Sequence, residues 1–65
     1  MYVLGVLNPE NQSLEPAYTA LEDVFGDESF TSSDAIEAIS GVLQISPGEA
    51  SRTFQRLVSV GAVHE

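Results

Sequence analysis

The four residues Ser46-Pro47-Gly48-Glu49 constrain this chain more than any other stretch. Serine caps a helix through its side-chain oxygen, proline is tolerated at the first helical position, and a glutamate three residues after the serine can reach back to complete a capping box. A helix therefore starts at Pro47, and its phase is set. At about 100° per residue, Ala50, Phe54, Leu57 and Val58 fall on one side and must face a core. The pattern predicts a helix over 47–60, ended by Gly61.

Two more helices precede it. Leu14, Tyr18, Leu21 and Phe25 recur at helical spacing, with Val24 adjoining the stripe. Pro16 fits only a first turn and Gly26 suits a left-handed exit, so this helix spans 15–26. Phe30 reads as a core plug after the loop Asp27-Glu28-Ser29, and Thr31-Ser32-Ser33-Asp34 supplies capping hydroxyls with an acid at the helix start. The second helix covers 32–43, turning Ala35, Ile36, Ile39, Val42 and Leu43 inward, with Gly41 as the point where it loosens or ends early. Met1 to Leu7 is β-branched and aromatic-rich and reads as a strand, Asn8 to Ser13 is turn chemistry, and Ala62-Val63-His64 is a short strand whose natural partner is Met1–Leu7.

These elements make one domain, residues 1–65. A chain of 65 residues holds a single core, and with 43% apolar and only 18% charged residues it has enough to bury. It has no cysteine, which excludes disulfides and thiolate zinc sites. No apolar stretch approaches the roughly 20 residues that cross a bilayer. Met1–Leu7, the longest, lacks a basic flank and a cleavage site, and Asn8-Pro9 stops it; the expected location is cytoplasmic. Asn11-Gln12-Ser13 matches a glycosylation sequon only in form, without an export signal.

Two basic and ten acidic residues give a formal net charge of −8, and both basic residues, Arg52 and Arg56, are arginines. Most of the surface must repel nucleic acid and anionic membranes, and the folded chain repels itself in dilute salt. A lysine-free acidic chain resembles proteins of salt-adapted, halophilic cells, where molar salt shortens the Debye length to about 3 Å.

Three helices joined by tight turns, with a strand after the third, suggest a helix-turn-helix. The run from Phe30 to Val63 goes further. It resembles winged-helix domains, with a hydroxyl-capped helix (Thr31 to Leu43), an aliphatic-Ser turn (Ile45-Ser46), a recognition helix (Pro47 to Val60) and a Leu-x-x-x-Gly-aliphatic exit (Leu57 to Val63). The implied fold is mainly α: a three-helix, winged-helix-like helix-turn-helix with a minimal β-sheet from the N- and C-terminal strands. A winged helix normally continues into a β-hairpin, and here one strand's worth of residues follows the third helix. Either the wing is absent, or Met1–Leu7 supplies the missing strand, or the chain is part of a longer one.

Removing the core stripe from the third helix leaves Arg52, Gln55, Arg56 and Ser59 on the opposite side, with Ser51 flanking them. No acid stands among these residues, and Glu49 falls at the helix start. Guanidinium and amide groups on one exposed face are suited to base edges and phosphates, and Ser46 with the amides of the helix start can hold a phosphate. The resemblance thus implies a DNA-binding transcription regulator that uses Ser46, Ser51, Arg52, Gln55 and Arg56. Two phosphates per chain give a salt slope of only about two, which calls for a dimer, with Met1–Leu7 as candidate dimer strand. The rival class is a protein-interaction module, in which the third helix meets an acidic partner or the apolar N-terminal segment adds a strand to another chain, in keeping with the −8 charge.

No enzymatic site is expected. His64 is the lone histidine, at the end of the chain, and no cysteine or lysine can serve as nucleophile. Asp27-x-Ser29-x-Thr31-x-Ser33 departs from a calcium loop at its sixth and twelfth positions, Ser32 and Ala38, and the pair Asp23 and Asp27 reads as a solvated face. No cofactor is implied. The five aromatics, Tyr2, Tyr18, Phe25, Phe30 and Phe54, belong with the core rather than with the arginine face.

One prediction follows from charge alone. Thermal melting followed by circular dichroism should move to higher temperature as potassium chloride is raised from millimolar to molar; an unchanged midpoint would contradict the salt-adapted reading.

Overall fold

Helix formation starts where a side-chain oxygen takes up a free backbone amide, and two helices of this chain begin that way. In the computed structural model, which describes residues 1–65, Thr31 Oγ1 accepts the Asp34 amide at 3.1 Å and Ser46 Oγ accepts the Glu49 amide at 3.3 Å. The elements run β1 (Val3–Leu4), a 3₁₀ helix (Pro9–Leu14), α1 (Glu15–Phe25), α2 (Ser32–Leu43), α3 (Pro47–Ser59) and β2 (Val63–His64). The protein is mainly helical, three helices with a two-stranded antiparallel sheet, as the periodicity predicts. No helix is long and apolar enough to cross a membrane.

α1 has no capping side chain; the 3₁₀ helix feeds directly into it and Pro16 sits in its first turn. Asn8 to Ser13 is therefore more than a turn, since Pro9 opens two short 3₁₀ turns, kinked at Asn11 (φ −103°, ψ 31°), whose last member, Leu14, is in the core. Gly26 ends α1 at φ 58°, ψ −120°, a positive φ but outside the left-handed helical well. α2 runs past Gly41 to Leu43, and the left-handed exit falls on Gln44, φ 55° and ψ 48°. α3 ends at Ser59, one residue short of the expected 60.

α2 packs against both α1 and α3. The core gathers Leu14, Ala17 and Leu21 from the first helical arm, Ala35 and Ile39 from α2, Ala50, Phe54 and Leu57 from α3, and Phe30, Ala62 and Val63 from the connections and β2. Phe30 is 1% exposed, the plug its position suggests, and it stacks on Phe25 with centroids 4.6 Å apart. Two stripe members are corrections: Val24 and Val42 are each 52% exposed, because they stand in the last turn of their helices on a side no neighbour covers. Ala17 and Ala20 are buried in α1 instead.

The strand expected over Met1–Leu7 shortens to Val3–Leu4, which pairs with β2 in the register Val3 to His64 and Leu4 to Val63. Its other edge is also used. Tyr2 and Phe30 exchange two backbone hydrogen bonds, 2.7 Å and 2.9 Å, so the N-terminal segment lies between Phe30 and β2. Of the three alternatives for the missing strand, the N-terminal segment is the one that pairs with the residues after α3.

Side chains hold this segment down. Tyr2 meets Phe54 edge-on, with centroids 5.1 Å apart and planes at 85°. The Tyr18 hydroxyl donates to the Gly5 carbonyl, and partial burial, helped by nearby Glu22, raises the phenol above its ordinary range. The native state therefore keeps the phenol proton longer than the unfolded chain does, so this term weakens the fold only as pH climbs above about 10.

Two glycines should respond oppositely to alanine. A Cβ on Gly5 would stand 3.0 Å from His64 Cδ2 and 3.1 Å from the Gly61 carbonyl oxygen, whereas one on Gly41 meets nothing within 4 Å. Gly41→Ala should gain about 0.5–1 kcal/mol by helix propensity, and Gly5→Ala should lose stability by overcrowding. Urea titration of both variants checks the signs.

Candidate nucleic-acid interface on the third helix

The arginine face depends on how α3 is turned, and its apolar stripe turns it. Ala50 and Leu57 are fully buried, Phe54 is 4% exposed and Val58 is half-buried, so the opposite side must point to solvent. Arg52, Gln55, Arg56 and Ser59 are all exposed there. Neither guanidinium group takes part in the side-chain hydrogen bonds of the protein, which run between other residues.

The connection before α3 is short and braced. Ile45 donates its amide to the Ser40 carbonyl at 3.2 Å, and Ser40 Oγ donates back to the Ile45 carbonyl at 2.7 Å. Gln44 takes the left-handed conformation between them, and Ser46 opens the next helix. The cap thus fixes α3 to the end of α2 without a glycine.

Ser46 and Ser51 differ from the other three expected contact residues. Ser46 is exposed, but its oxygen is occupied by the Glu49 amide, so that amide is not free for a phosphate. Its role in the structure is the cap. Ser51 is half-buried at the flank of the face. The structure therefore brings Arg52, Gln55 and Arg56 together on open surface and holds Ser46 and Ser51 at the margin.

The face is also less free of acid than its sequence suggests. Glu49 is exposed, and at about 100° per residue it stands about 60° from Arg52 and about 20° from Arg56 around the helix. Its carboxylate does not make the return bond to the Ser46 amide that would complete a capping box; only the forward bond is formed. Instead, the Glu49 backbone carbonyl accepts Thr53 Oγ1 at 2.9 Å. Reading Ser46 to Glu49 as a cap hides this second role, although the same angular arithmetic that selects the arginines would have found it.

Elsewhere the surface is acidic. Glu10, Glu15, Glu22, Asp23, Asp27, Glu28, Asp34, Glu37 and Glu65 are all exposed. A hollow of about 270 Å³ is lined by Val3, Leu4, Gly5, Tyr18, Glu22, Gly26 and Asp27, and its one hydroxyl already serves Gly5. No three His, Asp or Glu side chains come close enough to hold a metal ion. Thr31, within the stretch that looks like a calcium loop, caps α2.

Comparison with family models, with curated proteins and with solved structures finds no match for this chain.

The two serines offer a check on the cap. Ser46→Ala should cost about 1 kcal/mol of stability, while Ser51→Ala should stay within about 0.5 kcal/mol, as measured by chemical denaturation. Equal losses would mean that the bond to the Glu49 amide contributes nothing.

Proposed function

We propose that this chain is a winged-helix-like helix-turn-helix domain that binds duplex DNA through α3 and acts as a transcription regulator, not as an enzyme. One observation carries the reading. The only two cations of an otherwise acidic surface stand one turn apart on the exposed side of the helix that follows a braced turn, unpaired and flanked by an exposed glutamine. Arginine offers a bidentate fork to guanine O6 and N7 or to phosphate, and glutamine does the same for adenine. The N-terminal strand supports the reading as well, because it completes the small sheet after α3 without a hairpin wing.

The affinity of one copy is limited by its charge. Two neutralised phosphates give a salt slope of about −1.8, and the rest of the surface is repelled by DNA. The longest principal dimension of the protein is 25 Å, shorter than the about 34–36 Å between successive major-groove half-sites, so one copy meets one half-site. A working site therefore takes two copies. Inside the chain Tyr2 pairs with Phe30, Val3 and Leu4 pair with β2, and Gly5 donates its amide to the Ala62 carbonyl, so a dimer formed through Met1–Leu7 would join by what these bonds leave open. Met1 and Val6, 71% and 77% exposed, are what this segment leaves open. A salt-rich cytoplasm is the setting in which such an acidic fold keeps its compactness.

The second reading is a protein-interaction module, favoured by the −8 charge. There the arginine pair meets an acidic patch on a protein.

Titration of a labelled duplex pool with the wild-type chain and with Arg52→Ala/Arg56→Ala, at the lowest potassium chloride that keeps the fold intact, separates the two. DNA binding predicts a loss of at least tenfold in the double variant, with unchanged melting. Equal weak binding by both would remove the DNA reading, and nuclease-resistant recovery of a protein partner, lost in the same variant, would favour the second.

A further inference from the structure

Glu49 is an anomaly for a DNA-binding face, and the anomaly is informative. It is the sole acid of α3, it is exposed, and it stands in the first turn of the helix, on the arginine side but about two turns before Arg56. A carboxylate facing a phosphate backbone is repelled, so it weakens binding to every sequence unless it meets a hydrogen-bond donor. An ionised carboxylate is acceptor-only. In the major groove the donors are the adenine and cytosine amino groups. Adenine sets an acceptor, N7, beside its N6 donor, which a carboxylate cannot serve, while cytosine presents N4 alone. The Glu49 carboxylate is available for such a contact because the capping box is only half formed, with Ser46 Oγ holding the Glu49 amide and no bond returning from the side chain.

Resting on the DNA reading above, we propose that Glu49 is a specificity-determining residue that accepts the N4 amino hydrogen of cytosine. The first turn of a helix laid in the major groove is where side chains meet base edges. Glu49 precedes Arg52 by three residues, about 4.5 Å along the axis, close to the roughly 3.4 Å rise of one base-pair step. The face therefore prefers a cytosine next to the base pair whose guanine Arg52 contacts. Arg52 and Arg56 supply attraction, and Glu49 converts part of it into discrimination by penalising sites that lack the amino group.

The test is selection from a randomised duplex pool by wild type, Glu49→Ala and Glu49→Gln, with Arg52→Ala/Arg56→Ala as control and melting curves to confirm that each variant is folded. Wild type should enrich cytosine at one position by on the order of tenfold. Glu49→Ala should lose that enrichment while the arginine-dependent positions persist, and should bind an unrelated duplex a few-fold more tightly. Glu49→Gln should shift the same position from cytosine to adenine. Sequence enrichment identical in wild type and Glu49→Ala overturns the role of Glu49 and leaves the DNA reading standing. No duplex binding above that of the arginine double variant overturns both.

Discussion

The contact of Tyr2 with Phe54 holds the two halves of this structure in relation to each other. Phe54 is the largest buried side chain of α3, and its ring meets Tyr2 at a right angle from a segment more than fifty residues earlier. That contact ties the N-terminal segment to α3, whose rotation Ala50, Phe54 and Leu57 set together. If Phe54 points inward, Arg52 cannot. The polar face is thus a by-product of packing, and its composition is what selection is free to vary without disturbing the core.

The same separation governs electrostatics. All ten acids are exposed and none is buried with a partner, so the fold gains little from its charges and bears their mutual repulsion. A DNA-binding role pulls the other way with salt, because screening that relieves the acids also weakens phosphate contacts. A regulator of this composition has a window of ionic strength rather than a simple optimum, and its two arginines are better used for selectivity than for raw attraction.

The helices were legible because their start signals are chemical. Ser46, Thr31 and Pro16 announce positions, and the stripes that follow them set the phase, so the placement of Phe54, Leu57 and the exposed arginines could be worked out residue by residue. The long-range pairing was less so. That Tyr2 bridges Phe30 depends on where α1 ends in space, and no local pattern encodes it. Gly41 does not end α2, in keeping with the expected span of 32–43: the last turn is retained by half-buried Leu43 and by the reciprocal bonds between Ser40 and Ile45. Val24 and Val42 have the right spacing for the core but stand in the last turns of their own helices, half exposed. At the candidate site, Arg52, Gln55 and Arg56 follow from angular position, whereas Ser46 also serves as the cap of α3, as the spacing from Ser46 to Glu49 encodes.

The register of the two strands has a mechanical consequence. Val3 faces His64, so both ends of the chain leave the sheet on the same side. A force applied to the two ends would peel the strands apart one hydrogen bond at a time, like a zipper, instead of shearing them all together. Tyr2 lies nearer the end than Val3, so its bonds to Phe30 and its contact with Phe54 of α3 are loaded at the outset, and the Tyr18 bond to Gly5 is loaded once the strands part. Spliced between two larger bodies that pull on it, this fold would open at low tension and at its sheet before its helix pairs.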